Sequence, residues 1–368
     1  MAQNSVTLTD LVNPTVFTGM VLERTKEKTE VLRSGILQSD GVLEDWLAST
    51  IGNGGGGFLL TRPTWNDLAS GDSIATGMER SASEAESPLY TAGFGTAFPP
   101  PQDINTHTEV CVYVDRNNHW SSMNVSAMIA GAKGKDDPLT VIASLVADYW
   151  RRRLQKMVLA TVAGVIADNA AAPTGSDTHT LNDLRVDISG GGFVDGLTNI
   201  SASAVLDACQ TLGDAKNQIT NIAVHSVVHN RMHKNNLLDT VKESEGETIS
   251  YFRGLRVTVD DGMPNPSTGV YDSYLFGPGF LRFGDATWDK QTELVRRPEA
   301  GNGSGSDELW NRVRWCVHPM GHAFIGTPVV GGPTNAATSN NLAHADSWSR
   351  RAQSRKHIPF AYLRTREF

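Results

Sequence analysis

What this chain lacks narrows its class before anything it contains is considered. It has three cysteines in 368 residues, Cys111, Cys209 and Cys316, far apart and without C-x-x-C spacing. That pattern encodes neither a zinc knuckle nor a disulfide framework, and the thiols are expected to stay reduced, as in a cytosol. Long apolar runs are missing as well: the longest, Met157 to Ala167, is too short to cross a bilayer, and the opening MAQNSVTLTD has no signal-peptide core. No membrane partner is expected. Positive charge is scarce, with 32 Lys and Arg against 40 Asp and Glu for a formal net charge of -8. A dedicated nucleic-acid binder would need clustered cations to meet a phosphate backbone. The densest basic run, Arg151-Arg152-Arg153, reads as the solvated or partner-facing flank of a helix.

Catalytic patterns are missing too. There is no G-x-S-x-G and no H-E-x-x-H, and the glycine runs Gly54 to Gly57 and Gly190 to Gly192 lack the Lys-Ser/Thr of a phosphate loop. They read as joints. His225, His229 and His233 recur every four residues, the one spacing that could hold a metal. With Ser226 as a helix N-cap, however, His225 falls on the preceding strand, and a surface pair remains. Asp136-Asp137 and Asp260-Asp261 are adjacent acids in a helix start and a turn, with no third partner. Trp65, Trp120, Trp150, Trp288, Trp310, Trp315 and Trp348 are scattered, as core or subunit anchors would be. The expectation is a protein with no catalytic residue, no cofactor and no metal. Its rival from another class is a metal-dependent hydrolase built on His229 and His233.

What is present centres on one long amphipathic stretch. Asp136-Asp137-Pro138 is good helix-start chemistry, with acids at the positive end of the dipole and a proline whose missing N–H costs nothing there. Ile142, Val146, Tyr149, Trp150, Leu154, Met157, Val158, Thr161, Val162, Val165 and Ile166 follow at steps of three and four. A spine helix over 137–169 is predicted. Upstream, Asn13-Pro14 opens an amphipathic helix that passes through a charged segment and stops at Ser34-Gly35. Strand-like Phe58 to Trp65 and Thr108 to Val114 flank some forty residues without period, including Pro99-Pro100-Pro101. Two strands with so long a tip make a projecting hairpin, which is marginal in water unless something outside its own subunit orders it.

Downstream the pattern predicts a strand near Leu184 to Ile188, a helix over Ser201 to Ala215, a strand at Ile222 to His225 and a helix over Val227 to Leu238. Strands follow at Leu255 to Val259, Tyr271 to Phe276, Phe280 to Phe283, Glu293 to Arg297 and Trp310 to His318. The chain closes on Ile358 to Leu363. The fold class is α+β.

The order of these pieces resembles the major capsid proteins of tailed bacteriophages, with the Hong Kong 97-type fold. The resemblance is carried by Asn13-Pro14 through Ser34-Gly35-Ile36, Pro63-Thr64-Trp65-Asn66-Asp67-Leu68, Asp137-Pro138 through Ala147-Asp148-Tyr149-Trp150-Arg151, Val224-His225-Ser226, Gly254 through Pro264, and Tyr274-Leu275-Phe276-Gly277-Pro278-Gly279. It implies an N-terminal arm (1–57), an extended loop (58–118), a peripheral domain holding the spine (119–217), an axial domain (218–285), a return hairpin of the peripheral domain (286–330) and a C-terminal extension (331–368).

It also implies a structural subunit that assembles with itself into hexamers and pentamers of an icosahedral head. Further expected partners are a portal protein, separate scaffolding and decoration proteins, and packaged double-stranded DNA held without sequence specificity. The expected location is the virion, after assembly in the host cytoplasm. Candidate subunit-interface residues are Phe17 and Met20 on the arm, Trp65, Asn66 and Asp67 at the root of the loop, Arg80, Glu86, Phe94 and Phe98 within it, and Arg151 and Arg152 on the spine. No Lys and Asn can be paired for an isopeptide cross-link, and no scaffold-like segment precedes the arm. An encapsulin-like nanocompartment shell is the alternative within the same class.

Overall fold

A computed structural model of the chain describes residues 5–6, 29–52, 59–66, 106–124, 138–242, 248–286, 290–301, 303–327 and 329–368. The first half runs β1 (Ser5–Val6), α1 (Glu30–Arg33), β2 (Leu37–Ser39), α2 (Gly41–Gly52), β3 (Leu59–Trp65), β4 (Thr106–Met123) and α3 (Pro138–Ala170). Then come β5 (Arg185–Asp187), α4 (Ala202–Gln210), β6 (Asn221–Val224), α5 (Ser226–Lys234), β7 (Asp239–Lys242), β8 (Thr248–Phe252) and β9 (Leu255–Val259). The last part holds β10 (Val270–Phe276), β11 (Leu281–Ala286), β12 (Thr292–Arg297), β13 (Ser306–Pro319), β14 (His322–Phe324), β15 (Trp348–Arg350) and β16 (Phe360–Arg366).

The spine α3 spans 33 residues, roughly 50 Å at 1.5 Å per residue. The predicted periodicity decides what it buries: Trp150, Met157, Val158, Val162, Val165 and Ile166 are inside, while Arg151, Arg153 and Lys156 are exposed. Its apolar stripe meets Val112 and Val114 of β4, Val313, Trp315 and Val317 of β13, and the aromatic face of a second sheet.

Sheet one runs β1-β4-β13-β11-β2, with β12 on β13 and β3 on β4. Strand alternation gives β4 two faces. Val112 and Val114 point to the spine, whereas Cys111 and Tyr113 join Cys316 under Leu43 and Leu47 of α2. The sheet is thus held between the spine and α2. Sheet two runs β5-β16-β10-β6-β9-β8-β7. All of β10 is buried, because Tyr274 and Phe276 face the spine core while Tyr271 and Leu275 face a second core with α4 and α5.

Several elements depart from the sequence reading. The α4 helix ends at Gln210 rather than Ala215, because Gly213 turns the chain at φ 63° into a short 3-10 segment, Gly213–Gln218. His225, not Ser226, caps α5, its Nδ1 accepting from the Val227 N–H at 3.2 Å. Strand β4 continues to Met123, past the expected end of the extended loop at 118, because its second half is paired along β13. The α4 helix packs on sheet two rather than beside the spine. Residues 331–368, expected as a C-terminal extension, include β16, which lies between β5 and β10 in sheet two. Helix α2 and the β7–β8 hairpin were not foreseen. Of the predicted arm helix, the last turn is described, and it ends at Ser34-Gly35 with Gly35 at φ 76°. Residues 7–28, the Asn53 to Gly57 joint and Asp136-Asp137 lie outside the described residues.

Candidate subunit interface

The limb expected to reach a neighbour is built on β4. Its first half, Thr106 to Val112, pairs with β3, and its second half, Tyr113 to Met123, pairs with β13. One continuous strand therefore belongs to both limb and body, which supplies the anchor that an isolated hairpin lacks. Pro63 is tolerated because β3 pairs with β4 alone among the described strands. Burial along β3 alternates. Leu60, Arg62 and Thr64 are half-buried, while Leu59, Thr61, Pro63 and Trp65 form an outer row in solvent, with Trp65 73% exposed.

The inner row is tied down by polar contacts. Arg62 Nη1 donates to Asp40 Oδ2 at 2.8 Å, and Asp40 also meets Arg282 at 3.4 Å. Asn66 Oδ1 meets His107 Nδ1 at 2.5 Å. Further along the same face Glu109 lies 3.3 Å from His318 Nε2 and accepts from the Gly321 N–H at 2.9 Å. Burial alone would raise Glu109, but the His318 hydrogen bond and charge, with the Gly321 N–H, hold it at about 2. Cys111 is brought down to about 5 by a hydrogen bond from Cys316, against burial and with help from the charge of His318. His318 is pulled down by burial yet carried up to about 9 by Cys111 and Glu109. The foot of the limb is a buried cluster in which His318 Nε2 meets Glu109 and Cys111 lies with Cys316 in the small core under α2.

Of the predicted interface residues, Trp65 and Asn66 stand at the end of β3, one outward and one pinned inward. Arg151 is exposed and 3.7 Å from Asp148, and Arg152 is half-buried. Phe17, Met20, Asp67, Arg80, Glu86, Phe94 and Phe98 lie outside the described residues.

The sequence reading missed a recess between sheet one and the spine, a cavity of about 240 Å³ lined by Val114, Arg116, Tyr149, Trp150, Arg153 and Trp315 among others. Arg153, not its two neighbours, lines it, donating from Nε to Tyr149 Oη at 3.2 Å with its guanidinium 5.6 Å from the ring centre. The signal was the run Tyr149-Trp150-Arg151-Arg152-Arg153, whose helical phase decides which arginine borders the recess. Other apolar side chains are left in water: Leu197 is 70% exposed and Leu294 59%, with Phe193 and Val194 beside Leu197 in chain order.

The histidine pair offers no comparable construction. His229 and His233 stack edge to face with ring centres 4.6 Å apart, and burial, then the charge of His233, pushes His229 down. Asp260 is structural: its carboxylate accepts from Val31 N–H at 3.3 Å, from Gln155 Nε2 at 2.9 Å and from Gly262 N–H at 2.8 Å, joining α1, the spine and the turn after β9.

A long spine, a limb sharing a strand with the body, and a second sheet covered on both faces define the Hong Kong 97-type α+β fold. Solved shells carry the same arrangement. The capsid of Ralstonia phage GP4 superposes with a TM-score of 0.53 over 98% of both chains at 7% identity, and the cyanophage Pam1 capsid with 0.51 over 100% of both at 10%. No family model matches the chain. The major capsid protein of Bacillus phage SPP1 is 32% identical over 349 residues, 93% of each chain. The chain belongs to the major capsid proteins of tailed bacteriophages. It is a structural subunit that associates with copies of itself in the virion capsid.

Proposed function

We propose that the subunit forms hexameric and pentameric capsomers that close into an icosahedral head, each copy laying its β3–β4 limb over a neighbour, and that it carries out no catalysis. The observation that carries this is the outer row of β3. An exposed tryptophan at the end of a strand whose inner row is half-buried and tied down at Arg62 and Asn66 is surface built for another chain. Limbs of this kind give head-to-tail contacts, which generate rings and shells. Trp65 and Asn66 are assigned to that contact, with Arg151 and Arg152 on the receiving spine. The sequence candidates Phe17, Met20, Asp67, Arg80, Glu86, Phe94 and Phe98 complete it. The domain order of arm, extended loop, peripheral domain, axial domain and return hairpin belongs to the same proposal.

The remaining partners follow from the family: a portal protein at one vertex, separate scaffolding and decoration proteins, and double-stranded DNA held without sequence specificity, with assembly in the host cytoplasm. The net charge of -8 supports a wall that contains DNA without gripping it. Deleting Ser70 to Phe98 tests the limb. The expected result is a soluble, folded monomer or capsomer that no longer forms shells; particles of normal size from that variant would refute the assigned role. DNA rather than enzyme cargo in purified particles separates this reading from a nanocompartment.

A further inference from the structure

The spine ends where the chain folds back on it. The Ala171 N–H donates to the carbonyls of Ala167 and Asp168, and the Asn182 N–H returns to the Asn169 carbonyl at 2.9 Å. Asn169 Nδ2 also donates to Asp183 Oδ1 at 2.7 Å. This reversal brings Asp177 and His179 over Asp168. One oxygen from each carboxylate and one imidazole nitrogen all lie within 4.8 Å of one another.

The three side chains are arranged as ligands. Asp168 is 5% exposed and His179 6%. Asp168 Oδ2 and His179 Nδ1 are buried without a hydrogen-bond partner. His179 Nε2 faces the Ala171 carbonyl at 3.2 Å and so carries the ring proton, which leaves the lone pair on Nδ1. A histidine oriented through a backbone carbonyl is the usual support of a metal ligand. Asp177 is oriented too, Oδ2 accepting from the Thr174 N–H at 3.2 Å and Oδ1 from the Ser349 hydroxyl. The nearby cations are turned elsewhere: Arg350 donates to Asp183 at 2.5 Å and Arg351 to Ser176. Two carboxylates and an imidazole lone pair thus converge, with Asp168 Oδ2 and His179 Nδ1 given no donor among the described residues, an arrangement that costs free energy until a cation or proton enters.

We propose that Asp168, Asp177 and His179 bind one divalent cation of the Zn²⁺ or Mn²⁺ kind. One nitrogen and two oxygen donors suit such an ion, whereas Ca²⁺ takes six to eight oxygens. Asp177 is half-buried, which gives the ion a way in. The site links the end of the spine, the returning loop and, through Ser349, strand β15, so occupancy staples the C-terminal segment to the spine.

The test is Zn²⁺, and separately Mn²⁺, titrated calorimetrically into full-length particles stripped with a chelator, with bound metal counted by mass spectrometry. The expected result is about one ion per subunit and a rise in thermal midpoint, as binding to the native state requires. Asp168→Asn and His179→Gln are each expected to weaken binding by about 100-fold, beyond what loss of a supporting contact does, and to abolish the midpoint rise. A His229→Ala control leaves both intact. No uptake of either ion by the wild type overturns the proposal. So does uptake unchanged in either variant that still forms shells, or uptake lost in the His229→Ala control.

Discussion

At Gly164 the packing leaves no room for one more carbon. A Cβ there would overlap the Leu342 carbonyl oxygen and sit 2.5 Å from Trp348 Nε1, whose N–H donates to that same carbonyl at 2.7 Å. Alanine gains up to about 1 kcal/mol in helix propensity. The overlap is with backbone and a fully buried indole, so the crowding cost of about 1–3 kcal/mol or more wins. Gly164→Ala is expected to lower the thermal midpoint of the purified subunit, while Ala163→Gly, on a half-buried position of the same helix, loses only the propensity. The Glu109, His318 and Cys111 cluster sets a pH dependence whose sign can be worked out. His318 is raised from 6.5 to about 9, so its contribution is full below 6.5 and fades as pH rises to 9. Cys111 is lowered from 9.0 to about 5, so its contribution is full above 9 and fades as pH falls to 5. Between 6.5 and 9 the two cancel, since folding moves a proton from thiol to imidazole and takes up none. Glu109, lowered from 4.5 to about 2, loses its contribution below 4.5. Stability from this cluster is therefore level from about 6.5 to 9 and falls on the acid side. Urea unfolding at a series of pH values should show that limb, and Glu109→Gln should flatten its lowest part at a cost on the order of 2 kcal/mol near neutrality. None of these residues was legible as a group in the sequence. Glu109 and His318 are 209 positions apart, and strand register alone makes them neighbours.

Among the elements, those with a strong period of their own were legible and those defined by partners were not. The spine was readable because its apolar stripe recurs over many turns, and β9, β10, β12 and β13 because they alternate or run apolar between turn residues. Helix α2 was missed although Asp40 caps it, accepting from the Val42 N–H at 3.0 Å, and Leu43 and Leu47 are fully buried. Its apolar residues Val42, Leu43, Trp46, Leu47 and Ile51 do recur at helical spacing, and what the helix covers is the small core of Cys111 and Cys316. The place of β16 in a sheet is not legible from the chain, because its seven residues sit behind a long Pro and Asn rich stretch. It is held by pairing along the whole of β10 and by Arg364 on Asp272 at 2.7 and 2.9 Å. The arm joint is an element-scale prediction. Asp260→Ala removes the acceptor shared by Val31, Gln155 and Gly262, about 1.5–3 kcal/mol for bonds to a charged group. Hydrogen exchange should quicken at residues 30–34 while β10 stays protected. On the limb, Trp65→Ala is expected to leave subunit stability within about 0.5 kcal/mol, as for an exposed side chain. Shell formation, followed by sedimentation, should lose on the order of 2 kcal/mol per contact.

At the scale of the molecule, both sheets of the body are covered, whereas the outer row of β3 is not. Sheet one is covered by the spine and α2, sheet two by the spine core and by α4 and α5, and the buried charges Arg314 with Asp115 and Arg350 with Asp183 are paired. Among the described residues, the outer row of β3, the recess beside Arg153 and apolar positions such as Leu197, Leu294 and Val330 remain open. The class of fold was legible because the order of arm, hairpin, spine and sheets is itself a pattern. Which residues meet another copy was not legible in the same way, since a contact between copies leaves no period in one sequence. A cryo-electron microscopy reconstruction of assembled particles, at a resolution that traces side chains, tests the central claim most directly. Leu59, Thr61, Pro63 and Trp65 of one copy are expected to be buried against the next. The same row left in solvent, or folded onto its own spine, would contradict it.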